Sequence, residues 1–226
     1  MTASPTTAHR HFHDELSELK VKLLTMSGEA QDALGRALDA LLRRDGDLAA
    51  RVIAGDGAVD ALELEIEETV IDLLATQQPM ARDLRLLVAA TKIANDLERV
   101  GDHAVNIAQS AERLLSARLI APEPELLEMA RQARAMLSGA LDAFVRGDSE
   151  LGREICRRDD QVDSLHRSVF RILLTHMMED PHIIGAAMDL FLVSRNLERV
   201  ADLATNIAED VVFVVEGKTI KHHAEG

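Results

Sequence analysis

Eight carboxylates in this sequence stand as pairs four residues apart: Asp56/Asp60, Glu98/Asp102, Asp159/Asp163 and Glu198/Asp202. Residues at i and i+4 share one face of a helix, and like charges placed there repel by roughly a few tenths of a kcal/mol. A bound cation turns that repulsion into chelation. Asn106 and Asn206 follow one further turn along and add amide oxygens. The ten residues form a hard, all-oxygen donor set for divalent or trivalent metal ions, with nothing in the spacing to choose among Mg, Mn, Fe, Zn and Ca. The plainer alternative is a solvated acidic face, in which Arg99 and Arg199 neutralise Asp102 and Asp202 at i+3. Duplication favours the cation, because surface positions are where two copies of a segment diverge most freely. Gly55 and Gly57 flank Asp56 inside a helical stretch, at about 1 kcal/mol each relative to Ala. A local rule broken beside a cluster of acids is the mark of a functional site.

Other reactive side chains are less organised. His9, His11 and His13 alternate near one end and Lys221-His222-His223 stand near the other, as polar tails do. His103 adjoins Asp102 as a possible extra ligand, but its counterpart is Leu203. Cys156 has no partner cysteine and no base at a recognisable spacing, and reads as a half-buried filler. Met177-Met178 reads as core at a helix end. A ferritin-like di-iron centre needs Glu-x-x-His on two helices. The sequence has only Glu179-x-x-His182, broken by Pro181. His13-Asp14 is too isolated for a His-Asp phosphohydrolase. No P-loop, dinucleotide fingerprint or nucleophile elbow is present. The chain therefore reads as a non-enzyme.

Long helices must position the acids. All five prolines fall where helices should begin or end, and the stretches between are rich in Ala, Leu, Glu and Arg. Asp45-Gly46-Asp47 and Gly147-Asp148-Ser149 supply two further turn signals. The spacing predicts six helices, over 9–44, 48–76, 80–117, 124–146, 149–178 and 182–215. In the third, Leu86, Ala90, Ile93, Leu97, Val100, Ala104, Ile107, Ala111 and Leu114 recur every three or four residues. In the sixth, Leu190, Val193, Leu197, Val200, Ala204, Ile207, Val211 and Val214 do the same. These are seams for shallow-angle bundle packing. Glu98, Asp102 and Asn106 lie off the seam as an outward polar ledge, repeated by Glu198, Asp202 and Asn206.

The segments LERVGDHAVNIA (97–108) and LERVADLATNIA (197–208) share nine of twelve residues at an offset of 100. Ala37-Leu38-Asp39-Ala40 matches Ala140-Leu141-Asp142-Ala143, and Asp56-x-x-x-Asp60 matches Asp159-x-x-x-Asp163, both at an offset of 103. The fold class is therefore all-α: a tandem duplication of two three-helix bundles over residues 9–117 and 124–215, hinged near 117–124.

Composition narrows the partners. A net charge of −14 argues against nucleic acid, whose phosphates need a basic face, and disfavours docking on anionic lipid. With five Phe and neither Trp nor Tyr, the core must be aliphatic. The strongly apolar run 211–215 is too short to span a bilayer, no leader pattern precedes the first helix, and the single cysteine suits a reducing compartment. The expectation is a cytoplasmic protein with no direct membrane insertion.

At the two LERV segments the sequence closely resembles the PhoU family of phosphate-uptake regulators. Gln78-Pro79 with Asp83-Leu84-Arg85 before the third helix, and Met177-Met178-Glu179-Asp180 before the sixth, extend the likeness over about residues 10–215. The resemblance implies a regulator that restrains phosphate uptake and the phosphate regulon. It implies contact with the ATPase of the phosphate ABC transporter and with a phosphate-sensing histidine kinase, and assembly as a homodimer. It also implies iron or zinc clusters on Asp56, Asp60, Glu98 and Asp102 and on Asp159, Asp163, Glu198 and Asp202, with Asn106 and Asn206 as further ligands. Ala201 departs from the glycine the family has at this place, kept here as Gly101, and is expected to narrow the approach to the second site. A metal-free scaffold docking a basic partner, and a metal-dependent enzyme, are the competing readings.

Overall fold

The computed structural model describes residues 5–117 and 121–220, with side chains from Phe12 onward. His9, His11 and Lys221-His222-His223 lie outside the described side chains. Among the described residues there are helices and no strands: α1 (Pro5–Arg43), α2 (Gly46–Ala54), α3 (Gly57–Gln77), α4 (Ala81–Ser116), α5 (Pro124–Arg146), α6 (Ser149–Cys156), α7 (Asp159–Glu179) and α8 (Ile184–Glu216). A single 3₁₀ turn, Pro181–Ile183, leads into α8.

The six expected rods are present, and two of them are broken. The expected 48–76 helix is α2 plus α3, and the expected 149–178 helix is α6 plus α7. At both breaks the backbone tightens to i→i+3 bonding: Gly55 N–H donates to Val52 O (3.1 Å) and Arg158 N–H to Ile155 O (2.9 Å). Gly55 cannot be the whole cause, because the second break carries Arg157-Arg158 and no glycine. What the breaks share is their place, just before the first acid pair of each half.

The turn signals act as read. Asp45 and Asp148, 103 residues apart, cap α2 and α6 by accepting from Leu48 N–H (2.9 Å) and Leu151 N–H (3.0 Å). The residues just before them are both left-handed, Arg44 at φ 53° and Gly147 at φ 63°. Arg44 tolerates that strain while its guanidinium donates to Leu114 O (2.8 Å) and Leu115 O (3.0 Å), closing the end of α4.

Each half is an antiparallel bundle. Lys22 meets Glu65 (3.3 Å), tying α1 to α3; Asn95 donates to Glu63 (3.3 Å), tying α4 to α3. In the second half Arg153 meets Glu216 (2.7 Å), and His176 meets Glu123 (3.0 Å). The halves do not stand apart on a hinge. Helices α4 and α8 pack antiparallel along a seam that includes Ile93, Leu97, Val100, Val193, Leu197 and Val200, all fully buried, and one continuous core runs through both halves. Polar ties mark the seam: Lys92 to Asp210 (3.0 Å), His103 Nδ1 to Asn196 Oδ1 (2.9 Å) and Arg113 to Asp189 (2.6 Å). Met177 packs against the core as expected, but Met178 is 79% exposed, because α7 ends one residue later.

Candidate acidic site

In the first half α3 and α4 form an antiparallel hairpin, which brings Asp56 and Asp60 to the side of Glu98 and Asp102. The Asp56 side chain crosses to α4: its Oδ1 lies 3.6 Å from where a Cβ on Gly101 would stand. That is ordinary contact, so a methyl group fits at 101.

The four acids feel one another. The Glu98 carboxyl is pushed up to about 7, first by burial and then by Asp102, Glu63, Asp60 and Asp56. Asp56 is raised by burial, then by Asp60 and Asp102. The ledge is thus partly sunk between helices rather than wholly outward: Glu98 and Asp56 are half-buried, while Asp60, Asp102 and Asn106 are exposed. Arg99 does not neutralise Asp102. It turns back to the buried Asp96 at 3.8 Å, and among the described residues no arginine forms an ion pair with the first cluster, although Arg36 and Arg51 line a cleft beside Asp56.

The second cluster is built on the equivalent helices, α7 and α8, and wired differently. Arg199 bridges Asp202 (2.9 Å), as the i+3 spacing suggested, and Glu198 (3.4 Å). Arg167 stands 3.8 Å from Asp163. Asp159 is buried at 6% exposure, and Glu198 is raised by burial and by Asp202. Asn206 hydrogen-bonds to Asp96 across the seam, so it faces α4.

Sequence reasoning passed over Glu63 and its counterpart His166. Glu63 continues the Asp56/Asp60 row by one turn and helps to raise Glu98. His166, at the same offset of 103, hydrogen-bonds Ser194 (3.1 Å), stacks on Phe191 (5.5 Å) and lies near enough to Asp163 to feel its charge. Extending the repeat one turn beyond the acid pairs would have found both. His103 is accounted for by the seam: Asn196 Nδ2 is fixed on Leu192 O (2.8 Å), so Asn196 Oδ1 accepts from the His103 ring. Cys156 is buried, with its thiol pushed up to about 11 by that burial, and is inert filler.

The donor chemistry suits a hard cation, with carboxylates from two helices and exposed Asp60 and Asp102 free to turn inward. Among the described residues, no three His, Cys, Asp or Glu side chains are already gathered around one point.

The profile of the PhoU domain matches residues 23–111 and again 126–211. The chain belongs to the PhoU family. It is 37% identical over 215 residues to the phosphate-specific transport system accessory protein PhoU homolog of Zymomonas mobilis, covering 95% of this chain and 91% of that protein. With the homolog of the same name from Caulobacter vibrioides it shares 40% over 212 residues, 93% and 92% of the two chains. The crystal structure of PhoU from Pseudomonas aeruginosa superposes with a TM-score of 0.88 at 35% identity, covering 92% of this chain and 100% of that one. The phosphate transport system regulatory protein PhoU from Streptococcus pneumoniae gives 0.86 at 29% identity, covering 93% and 99%. No described helix is long and apolar enough to cross a membrane.

The first cluster makes a pH prediction. Glu98 is held above its unfolded value of about 4.3, so folding takes up a proton between the two. The stabilisation is full at acid pH and is lost as pH rises through about 7. In metal-stripped protein, Glu98→Gln should remove that decline and raise the melting temperature at pH 8 by about 2–4 °C, a solvent-screened gain of roughly 1 kcal/mol. Melting curves at pH 5 and pH 8 check this; an equal change at both pH values would refute it.

Proposed function

We propose that this chain is a phosphate-transport accessory regulator: a cytoplasmic, homodimeric adaptor, not a catalyst, that restrains phosphate uptake and the phosphate regulon. Its partners on this reading are the ATPase of the phosphate ABC transporter and a phosphate-sensing histidine kinase. Iron or zinc sits on the acid ledges, on Asp56, Asp60, Glu98 and Asp102 with Asn106, and on Asp159, Asp163, Glu198 and Asp202 with Asn206. Near-full-length similarity to proteins named for the phosphate-specific transport system supports the role. The observation that supports the metal is the first cluster, where burial and four neighbouring acids, Asp102, Glu63, Asp60 and Asp56, raise the Glu98 carboxyl to about 7 and no arginine among the described residues forms an ion pair with them. A cation would relieve all of them together. The second cluster already leans on Arg199 and Arg167, so the first should fill before it.

Exposed apolar side chains recur at equivalent places in both halves: Ile71 and Leu174, Leu84 and Ile184, Val88 and Met188. Apolar side chains exposed at equivalent places in both halves support docking on a partner.

Elemental analysis of untagged protein, beside the Glu98→Gln/Glu198→Gln variant, tests the metal. Stoichiometric metal that disappears in the variant is the expected result. Uptake assays test the role: cells lacking the chain should over-accumulate phosphate, and the variant should fail to correct this. The metal-free docking scaffold is the second reading, favoured by the ungathered side chains and by the arginines on the second ledge. Metal absent from both proteins after reconstitution, with partner binding lost on charge reversal, would put the scaffold first.

A further inference from the structure

A cleft of about 430 Å³ opens where the halves meet, walled by α1 and α4 of the first and by α5 and α8 of the second. Leu24, Phe144 and Val145 help to form an apolar wall, and Lys20, Arg82 and Arg146 line the same space. Most other arginines of this acidic protein are engaged: Arg113 with Asp189, Arg153 with Glu216, Arg158 with Glu154, Arg199 with Asp202. Lys20, Arg82 and Arg146 have no ion pair or hydrogen bond among the described residues.

The duplication supplies an internal control. At the offsets of the repeat, Lys20 corresponds to Glu123, Arg82 to His182 and Arg146 to Arg43. In the other half the equivalent groups are either different or engaged: Glu123 meets His176 at 3.0 Å and Arg43 meets Asp39 at 3.6 Å. Among the described residues, one end gathers three uncommitted cations around a cleft, whereas at its counterpart Glu123 and Arg43 are paired. Three unpaired cations together repel one another and are retained against the overall charge of the chain, which an anionic ligand explains.

We propose that this cleft binds a phosphorylated small molecule. Arg82 and Arg146 hold its phosphoryl oxygens through their planar forks, Lys20 adds a point charge, and the organic part lies on Leu24, Phe144 and Val145. The volume falls within the range of small-molecule sites, which combine apolar walls with a few placed polar groups. A bare phosphate would leave the walls uncovered. Asp83, the single acid among the lining residues, is placed to accept a hydrogen bond from a hydroxyl or amine of the ligand. A molecule seated there touches both halves at once. The assignment is independent of the acidic ledges.

Isothermal titration of the full chain with inorganic phosphate, glycerol 3-phosphate and AMP tests it, with phosphatidylglycerol vesicles as a separate arm. One phosphomonoester should bind once per chain, and more tightly than inorganic phosphate. Arg82→Gln and Arg146→Gln should each weaken it by at least about tenfold with unchanged melting temperature, because both side chains are exposed. Glu98→Gln should leave it unchanged, which separates this site from the metal ledge. No binding of any probe, binding retained in the Arg82→Gln/Arg146→Gln double variant, or binding to the vesicles alone would overturn the proposal.

Discussion

Leu97→Ala should destabilise the protein by about 3–5 kcal/mol, the upper part of the range for an enclosed leucine. Leu97 is fully buried on α4, and its neighbours along the seam, Ile93 and Val100, are equally inaccessible. Truncation removes three carbons that no flexible side chain is positioned to replace, and the rigid antiparallel seam relaxes little around the void. The matching Leu197→Ala should cost less, about 2–3 kcal/mol. Leu197 also lines a 310 Å³ cleft between α1, α5 and α8, so its loss enlarges a space that is already open. Urea unfolding of both variants measures the difference. Equal losses, or a larger loss for Leu197→Ala, would show that the Leu197 side of the seam is at least as enclosed as the Leu97 side.

The second large effect is expected at Lys92. Its ammonium lies 3.0 Å from Asp210 and 5.8 Å from the centre of the Phe213 ring, and it also offsets the charge of Asp96. Both acids are buried, and burial together with Asp210 pushes Asp96 up to about 6. Lys92→Met keeps the aliphatic stem and removes the cation, leaving two buried carboxylates facing each other. The cost should be about 1–3 kcal/mol at pH 8. The pH dependence follows from the sign. Asp96 is already raised above its unfolded value of about 3.9, so stability falls as pH rises from there through about 6. Removing the cation raises both acids further and steepens the fall. The variant should therefore lose little at pH 5 and most at pH 8, and Asp210→Asn should restore much of the loss. A loss independent of pH, or a failed rescue, would place the effect in packing rather than charge.

Much of this was legible in the sequence because helical periodicity and duplication are both written along the chain. The stripes Leu86 to Leu114 and Leu190 to Val214 became the buried faces of α4 and α8. The turn signals at Asp45-Gly46-Asp47 and Gly147-Asp148-Ser149 marked two helix boundaries, where Asp45 and Asp148 act as caps. The breaks before Asp56 and Asp159 were not legible, since the second has helix-forming arginines and its cause is tertiary. Arg99 was misassigned for a related reason. At i+3 it could choose Asp102 ahead or Asp96 behind, and only the burial of Asp96 against α8 decides. Glu63 and His166 escaped notice because the acid pairs were compared without the turn that follows them. The basic cleft could not have been found at all, since Lys20, Arg82 and Arg146 come from three helices and share no spacing.

The seam between α4 and α8 also carries a history. Two copies of one bundle that meet through the same helix are what a symmetric dimer of a single-length ancestor would look like after its genes fused. In such a dimer every side chain near the axis must suit its own twin. Once the copies lie in one chain, that demand is lifted, and the two sides can specialise. Lys92 and Asp210 occupy places whose equivalents are Leu192 and Ser110, and Arg113 and Asp189 occupy places whose equivalents are Phe213 and Ala89. Each charged pair thus has an uncharged twin across the axis. A homodimer would have been obliged to make each of these pairs twice, and the fused chain makes each once, which lets its two ends take on different work.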